Sequence, residues 1–257
     1  VAVGALLQIE VEGAGSPPLA YQWLKDGVVL DGATEARFTR LAAVVEDAGS
    51  YTVQISNGGG SVTSSPVDVV VLNPPAIVES PRSTSLAVGA RLDLAVVASG
   101  SPPLKYQWWH GSEQLSGETQ PTLTIPVVSV ADAGLYSVTV ENAVGVVESE
   151  VATVDVLEPP VIVSQPKSEV VLAGGRVRWE VIVRGATPWG FQWYKNGDPI
   201  IGATGSSLTL QKTGLGDAGD YSVRVSNPVG EVWSAPFSLH MLIILSALSK
   251  CFVCPYV

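Results

Sequence analysis

Three tryptophans stand at one fixed spacing in this sequence, and that spacing constrains the fold more than any other feature. Trp23, Trp108 and Trp193 lie 85 residues apart. The same interval relates five further sets of identical residues, which are Tyr51, Tyr136 and Tyr221; Asp47, Asp132 and Asp217; Gly49, Gly134 and Gly219; Asn57, Asn142 and Asn227; and Gly4, Gly89 and Gly174. No insertion or deletion interrupts the register. The chain is therefore predicted to contain three copies of one unit, the first without its opening strand.

Each unit is predicted to consist of short strands separated by turns. In the second unit, Leu92, Leu94 and Val96 alternate with Asp93 and Ala95, which is the period of a half-buried strand. Hairpin turns are indicated at the Asp-Gly pair at 26–27 and the Asn-Gly pair at 196–197, because such pairs tolerate positive φ. About seven short strands in ~85 residues are typical of a two-sheet antiparallel sandwich. The predicted fold class is all-β.

Two composite motifs give the sandwich a family resemblance. The run Asp-Ala-Gly-x-Tyr-x-Val at 47–53 recurs in register in all three units, and the run Tyr-Gln-Trp-x-x-x-Gly at 21–27 recurs in similar form, with Ser112 in place of the glycine and Phe191 in place of the tyrosine. They resemble immunoglobulin domains of the intermediate set, in the disulfide-free form common in large bacterial surface and secreted proteins. The resemblance implies three tandem immunoglobulin-like domains in an extended array. The predicted segments are a first domain at 1–73, a second at 74–158, a third at 159–242 and a non-repeat tail at 243–257.

The resemblance also implies structural roles for the repeated residues. The three repeated tryptophans correspond to the family's core tryptophan on the third strand. Tyr51, Tyr136 and Tyr221 correspond to its tyrosine corner, whose hydroxyl donates to turn backbone. Asp47, Asp132 and Asp217 suit a side chain that accepts backbone N–H bonds in that turn.

The sequence departs from the family at the disulfide that joins the two sheets. The two cysteine positions fall on the pairs Val11 and Val53, Val96 and Val138, and Val181 and Val223. We expect each pair to fill the space beside the tryptophan, since burying such a side chain contributes ~1.5–3 kcal/mol. The missing disulfide favours a bacterial origin or a reducing compartment.

Charge and cysteine usage exclude several classes of protein. The net charge is −10, and no cluster of Lys and Arg offers the basic face of a nucleic-acid binder. The only cysteines, Cys251 and Cys254, lie in the tail and are too few for a zinc site. The apolar run of the tail is too short to span a bilayer. The tail is predicted to be non-repeat sequence at a truncated or altered gene end, or alternatively a short membrane-associating segment.

Catalysis finds little support in the sequence. His110 and His240 fall in different units, and His110 replaces a lysine at a hairpin, where a solvated residue is expected. No serine is marked as an activated nucleophile. Paired carboxylates such as Glu148 and Glu150 are interpreted as solvated acids, although a cation at a domain junction, held by Glu79 or Glu158, stays an alternative. No enzyme activity, cofactor or metal site is predicted.

Exposed aromatic residues form the only candidate binding surface. The residue after each core tryptophan should point outward, which places Trp109 and Tyr194 on the surface. Trp233 falls on a late strand of the third unit, next to the strand of Tyr221. Trp109, Tyr194 and Trp233 are therefore candidate binding residues for a protein or glycan, whereas the alternative is ordinary surface covering.

The predicted function is a non-catalytic repeat array that binds, adheres or acts as a spacer at a cell surface or in a secreted protein. One alternative is a set of ancillary modules, possibly carbohydrate-binding, of a larger extracellular enzyme. Another is an intracellular spacer, which is compatible with the missing disulfides. No signal peptide or transmembrane segment is expected within this chain.

Overall fold

The computed structural model describes residues 1–242, and the predicted tail, with Cys251 and Cys254, lies outside the described residues. Within residues 1–242 the chain forms β-strands, three single-turn 3₁₀ helices and no α-helix. The first repeat contains β1 (Leu7–Glu10), β2 (Ala20–Lys25), β3 (Val28–Val29), β4 (Arg37–Arg40), β5 (Gly49–Asn57), β6 (Gly60–Thr63) and β7 (Val67–Val69).

The other two repeats follow the same order and each add three strands, namely an opening pair and one further short strand, β11 or β21. The second contains β8 (Ala76–Glu79), β9 (Thr84–Ala87), β10 (Leu92–Ala95), β11 (Val97–Ser99), β12 (Lys105–His110), β13 (Glu113–Gln114), β14 (Thr122–Ile125), β15 (Gly134–Asn142), β16 (Gly145–Glu148) and β17 (Ala152–Leu157). The third contains β18 (Val161–Ser164), β19 (Glu169–Leu172), β20 (Val177–Glu180), β21 (Ile182–Arg184), β22 (Gly190–Lys195), β23 (Asp198–Pro199), β24 (Ser207–Leu210), β25 (Gly219–Asn227), β26 (Gly230–Trp233) and β27 (Phe237–Leu242). The 3₁₀ helices are Val45–Asp47, Val130–Asp132 and Leu215–Asp217.

The strands of the third repeat form two layers, as the sequence predicts. One layer is a six-stranded sheet in the order β19-β27-β25-β22-β23, with β26 also paired to β25. The other layer comprises the antiparallel pairs β18–β21 and β20–β24. In the first repeat, β3-β2-β5-β6 with β7 form one layer and β1–β4 belong to the other. The all-β, tandem-sandwich fold class is confirmed.

The opening strand is split between the two layers, which the sequence pattern did not show. In the third repeat β18 pairs antiparallel with β21, whereas β19 crosses over and pairs parallel with β27. Gln165 and Ser168 lie at the crossing, and their side chains accept the N–H groups of Ala235 and Ser238 at 2.9 Å each. The first repeat retains only the end of this second segment, as a parallel bridge between Ala2 and Leu72.

Two compact units can be distinguished along the described chain. The first comprises residues 1–84, 91–126 and 133–154, and the second comprises residues 85–90, 127–132 and 155–242. These units do not coincide with the three repeats. The domain limits at 74 and 159 therefore stay predictions.

The hairpin turns take the conformation that their sequences require. Asp26 and Asn196 have φ of 50° and 54°, and the glycines that follow them have φ of 80° and 89°. The Asp26 carboxylate also accepts the Ser50 N–H at 2.8 Å. That bond is the main reason why the pKa of Asp26 lies below its ordinary value, and the hydrogen bond from the neighbouring Lys25 ammonium is the second.

The register sets each core tryptophan directly opposite one of the predicted valines. Trp23 pairs with Val53, Trp108 with Val138 and Trp193 with Val223. The burial of these residues follows the alternation of the strands: at most 2% of each of the three tryptophans and three valines is exposed. Of the other three valines, Val96 and Val181 are buried, whereas Val11 is only half-buried.

The core tryptophans are tied to the backbone as well as packed. The indole Nε1–H of Trp23 donates to Glu35 O at 2.8 Å, that of Trp108 to Gln120 O at 2.9 Å, and that of Trp193 to Gly205 O at 2.8 Å. Trp179 is buried in the third core against Tyr221 and Phe237, with ring centroids 4.7 and 4.9 Å away. Its Nε1–H has no partner among the described residues, and an unpaired buried donor of this kind costs stability.

This contrast predicts different costs for one substitution at two sites in the same core. Trp193→Phe removes an indole hydrogen bond, whereas Trp179→Phe removes a buried donor that is unpaired, so the first substitution should cost about 1–3 kcal/mol more than the second. Urea unfolding of the full chain, followed by far-ultraviolet circular dichroism, measures both. Equal losses at the two sites would contradict the role assigned to the indole hydrogen bond.

The repeated tyrosines and aspartates lie together at one turn of each sandwich. Tyr51 Oη donates to Asp47 O at 2.8 Å, and Tyr221 Oη donates to Asp217 O at 2.7 Å. The aspartate carboxylates accept backbone N–H groups three residues earlier, at 2.9 Å for Asp47 and 2.7 Å for Asp217. In the second repeat, Asp132 accepts the Ser129 N–H at 2.7 Å, and Tyr136 is 1% exposed.

Burial of the tyrosine corner predicts a loss of stability at alkaline pH. Desolvation, with a smaller contribution from the Asp217 charge, raises the pKa of Tyr221 to about 12. The unfolded tyrosine titrates near ~10. Stabilisation by the neutral phenol is therefore complete below pH ~10 and is lost as pH rises towards 12, by on the order of 2 kcal/mol. Urea unfolding at pH 8–12 should show this slope, and Tyr221→Phe should reduce it; an unchanged slope would contradict the assignment.

Candidate binding surface

Two of the three predicted surface aromatics form a pair on the outer face of the third repeat. Trp193 points into the core, so its neighbour Tyr194 points outward. Trp233 is the last residue of β26, which pairs with β25, and its side chain is 48% exposed. The ring centroids of Tyr194 and Trp233 are 4.7 Å apart with an interplanar angle of 47°. The central strand β25 runs between them and carries the small Ser222 opposite Tyr194.

Charged groups border this aromatic pair. Arg224 is directly opposite Trp233 in the register, and its Nη1 lies 3.3 Å from the Glu231 carboxylate. Both partners are partly exposed, so this ion pair contributes little to folding. Its groups stay accessible to a ligand. The surface therefore combines an exposed aromatic platform with one hydrogen-bond donor group and one acceptor group, and we call these four residues (Tyr194, Arg224, Glu231 and Trp233) the aromatic face.

Trp109 does not belong to this pair. It lies in the first compact unit and is half-buried. Its Nε1–H points to Thr139 Oγ1 at 3.4 Å. In the first repeat the positions of Tyr194 and Trp233 are occupied by Leu24 and Thr63. Within the described residues, the aromatic face is therefore a feature of the third repeat alone.

His110 differs from its prediction as a solvated turn residue. It ends strand β12 and is half-buried, with its ring stacked on Tyr136 at 4.5 Å and an interplanar angle of 10°. Its Nε2 is 3.2 Å from Ala133 O. A Cβ at Gly134 would collide with this ring. His110 therefore packs over the tyrosine corner of the second repeat, where the other repeats carry a lysine.

The described part of the chain holds no group of three or more His, Cys, Asp or Glu side chains that could bind a metal ion. The predicted alternative of a cation at Glu79 or Glu158 therefore gains no support from the side chains around these residues. None of the helices in residues 1–242 is long and apolar enough to cross a membrane.

Sequence reasoning missed a structural role for the repeated asparagines. Asn142 Nδ2 donates to Asn73 O at 2.8 Å and to Ser101 O at 3.0 Å. Asn227 Nδ2 donates to Glu158 O at 2.7 Å and to Ala186 O at 2.9 Å. Each asparagine thus holds the segment that enters its own repeat. The 85-residue spacing marked these positions, but a spacing does not reveal a hydrogen-bond partner 69 residues away.

Two-layer antiparallel sandwiches with a buried tryptophan and a tyrosine corner define the class of immunoglobulin-like proteins. A family model described as immunoglobulin domain matches residues 74–142 and 159–227, and a second with the same description matches residues 8–71. The chain belongs to the immunoglobulin domain family.

Curated relatives are animal proteins. The chain is 32% identical to mouse hemicentin-2 over 241 residues, which cover 85% of this chain and 5% of hemicentin-2. It is 27% identical to human Roundabout homolog 3 over 260 residues, 90% of this chain and 18% of that protein. It is 31% identical to the Caenorhabditis elegans muscle M-line assembly protein unc-89 over 271 residues, which cover 91% of this chain and 3% of that protein. The chain therefore spans a small part of each relative.

Solved structures agree on the fold. An I-band fragment of titin superposes with a TM-score of 0.77 at 23% identity, covering 94% of each chain. Immunoglobulin domains 1–4 of Sidekick-1 superpose with a TM-score of 0.55 at 22% identity, covering 95% of this chain and 73% of that one. The expected resemblance to bacterial repeats is not supported, because the relatives found are animal proteins. The valines in place of cysteines reflect how the core is packed and do not indicate a bacterial source.

Proposed function

We propose that this chain is a non-catalytic immunoglobulin array that mediates adhesion by binding a protein ligand at a cell surface or in the extracellular space. The family assignment and the relatives support this function. A further relative is the Xenopus laevis protein named cell adhesion molecule-related/down-regulated by oncogenes. It is 28% identical over 206 residues, which cover 76% of this chain and 16% of that protein.

The aromatic face is the single observation that carries the proposal. Large aromatic side chains with a nearby arginine are the residues that contribute most to protein–protein interfaces. Trp233 is 48% exposed although it is the largest type of side chain. The same surface of the first repeat, built on the same strands, carries Leu24 and Thr63 instead. The sandwich itself therefore does not require aromatics at these positions.

This difference between repeats supplies a substitution that preserves the fold. Tyr194→Leu with Trp233→Thr converts the aromatic face to the residues of the first repeat. A fluorescent, multimerised form of the 257-residue chain should stain cultured animal cells, and the double substitution should weaken half-maximal staining by about tenfold or more, as expected for the loss of two interface aromatics.

The control is the matched pair Leu24→Ala with Thr63→Ala, which should leave staining unchanged. Staining that is lost after trypsin treatment of the cells, but retained after enzymatic deglycosylation, identifies a protein ligand. Staining lost after deglycosylation supports the alternative of carbohydrate-binding modules instead. Absence of staining, or staining indifferent to the double substitution, contradicts adhesion through the aromatic face and favours a spacer role.

A further inference from the structure

The second repeat carries an open cleft between two sheet edges. The cleft has a volume of about 520 Å³ and lies between strands β8 and β16. Among the described strands, β8 pairs only with β11, and β16 pairs only with β15. The residues that line the cleft fall at 75–80 and 147–150, and all of them belong to the first compact unit. The cleft therefore lies wholly within one repeat.

Contacts at both ends define the length of the cleft. At one end, a Cβ built at Gly145 would lie 3.5 Å from both Pro74 and Pro75. At the other end, the Ser80 hydroxyl accepts the N–H of Glu150 at 3.2 Å. Strand β8 supplies four residues between these two contacts, which corresponds to about 13 Å at ~3.3 Å per residue. The cleft therefore has the length of a short extended segment.

The backbone of β16 directs hydrogen-bonding groups towards the cleft. The N–H of Ser149, the next residue after β16, donates to Val138 O at 3.0 Å, so this backbone group faces β15. Alternate residues of an antiparallel strand direct their N–H and C=O groups to opposite sides, so those of Val146 and Glu148 face away from β15. In the part of the chain that the structure describes, no strand pairs with that side of β16. An open edge of this kind can accept one more strand.

The side chains of the cleft are aliphatic on its walls and acidic at its rim. Ile77 and Val147 are half-buried, whereas Glu148 and Glu150 are exposed. Glu148 Oε1 accepts the Ser137 hydroxyl at 2.9 Å, which fixes the position of this carboxylate. No Lys or Arg lines the cleft, and neither glutamate forms an ion pair with any residue of 1–242. The cleft therefore combines aliphatic walls with negative charge that is complementary to basic side chains.

The third repeat shows that the sandwich does not require these residues. The positions of Ala76, Ser80, Glu148 and Glu150 are occupied there by Val161, Gln165, Trp233 and Ala235. Gln165 Oε1 accepts the Ala235 N–H at 2.9 Å, just as the Ser80 hydroxyl accepts the Glu150 N–H. The two small wall residues and the two rim carboxylates thus distinguish the second repeat from the third.

We infer that this cleft binds an extended segment of a partner protein in which aliphatic and basic residues alternate. The backbone of the segment pairs with Val146 and Glu148 and so adds a strand to β16. Successive side chains of a strand point to opposite faces. The aliphatic side chains therefore contact Ile77 and Val147, and the basic side chains reach the carboxylates of Glu148 and Glu150. This surface is separate from the aromatic face of the third repeat and does not rest on the function proposed for it.

A short labelled peptide that alternates valine with lysine tests the site. Fluorescence anisotropy with the 257-residue chain should show saturable binding that weakens as salt is raised, because exposed charges contribute to it. The same peptide with glutamate in place of lysine should bind about tenfold or more weakly. A peptide with proline in place of valine should show a similar loss, since proline cannot pair as a strand.

Two double substitutions test the walls and the rim of the cleft. Ala76→Val with Ser80→Gln fills the cleft with the residues of the third repeat and should abolish peptide binding. Glu148→Gln with Glu150→Gln removes the charge but keeps an acceptor for the Ser137 hydroxyl. It should weaken binding about fivefold to tenfold, as expected for the loss of two exposed ion pairs. Circular dichroism verifies that both variants are folded.

Matched controls separate this cleft from the rest of the acidic surface. Glu113→Gln with Glu118→Gln changes the net charge equally outside the cleft and should leave peptide binding unchanged. Tyr194→Leu with Trp233→Thr should also leave it unchanged, which distinguishes this site from the aromatic face. The inference is overturned by an absence of saturable binding, by equal binding of the glutamate peptide, or by binding that persists in the filled cleft. An equal loss in the two glutamine pairs overturns it as well, because the attraction would then be non-specific.

Discussion

Each sandwich depends on the packing of one buried indole and its registered valine, which lie in the same sheet, against the facing sheet, with the indole N–H bonded to a backbone carbonyl. Two sheets in a small domain need either a covalent bridge or a well-filled core to stay together. Here Trp23, Trp108 and Trp193 fill the centre of each interface, and their registered valines stand where the immunoglobulin family has a cysteine. The indole also donates to the loop that leads into β4, β14 or β24 of the facing sheet. The packing therefore fixes this loop as well as the sheets.

This interior leaves the outer faces free to differ. The residue after the core tryptophan is Leu24, Trp109 or Tyr194, and each occupies the same outward position on an equivalent strand. Substitutions there change what the surface can contact without disturbing the core. The same separation explains why an aromatic pair with a bordering ion pair arises in the third repeat alone among the described residues, and why ligand binding in this family can vary on an unchanged scaffold.

Most of the fold could be predicted from the sequence because the repeat supplied three aligned examples of every turn and core position. The hairpins at Asp26 and Asn196 followed from residue type alone. What escaped prediction depends on contacts between distant residues. Val11 is half-buried because, among the described residues, no counterpart of β8 or β18 lies beside it, and the stacking of His110 on Tyr136 reflects a neighbour in the folded sheet. The Asn142 side chain bonds to a carbonyl 69 residues away, and Tyr194 meets Trp233 only because the strands β22 and β26 both pair with β25.

Hydrogen exchange of the tryptophan indoles, measured by nuclear magnetic resonance under reducing conditions, tests the central claim most directly. Exchange of a buried, bonded N–H requires opening of the structure around it. The Nε1–H groups of Trp23, Trp108 and Trp193 should therefore exchange orders of magnitude more slowly than that of the exposed Trp233, with no disulfide present. Core indoles that exchange as fast as Trp233 would show that the tryptophan-centred core does not hold the two sheets together.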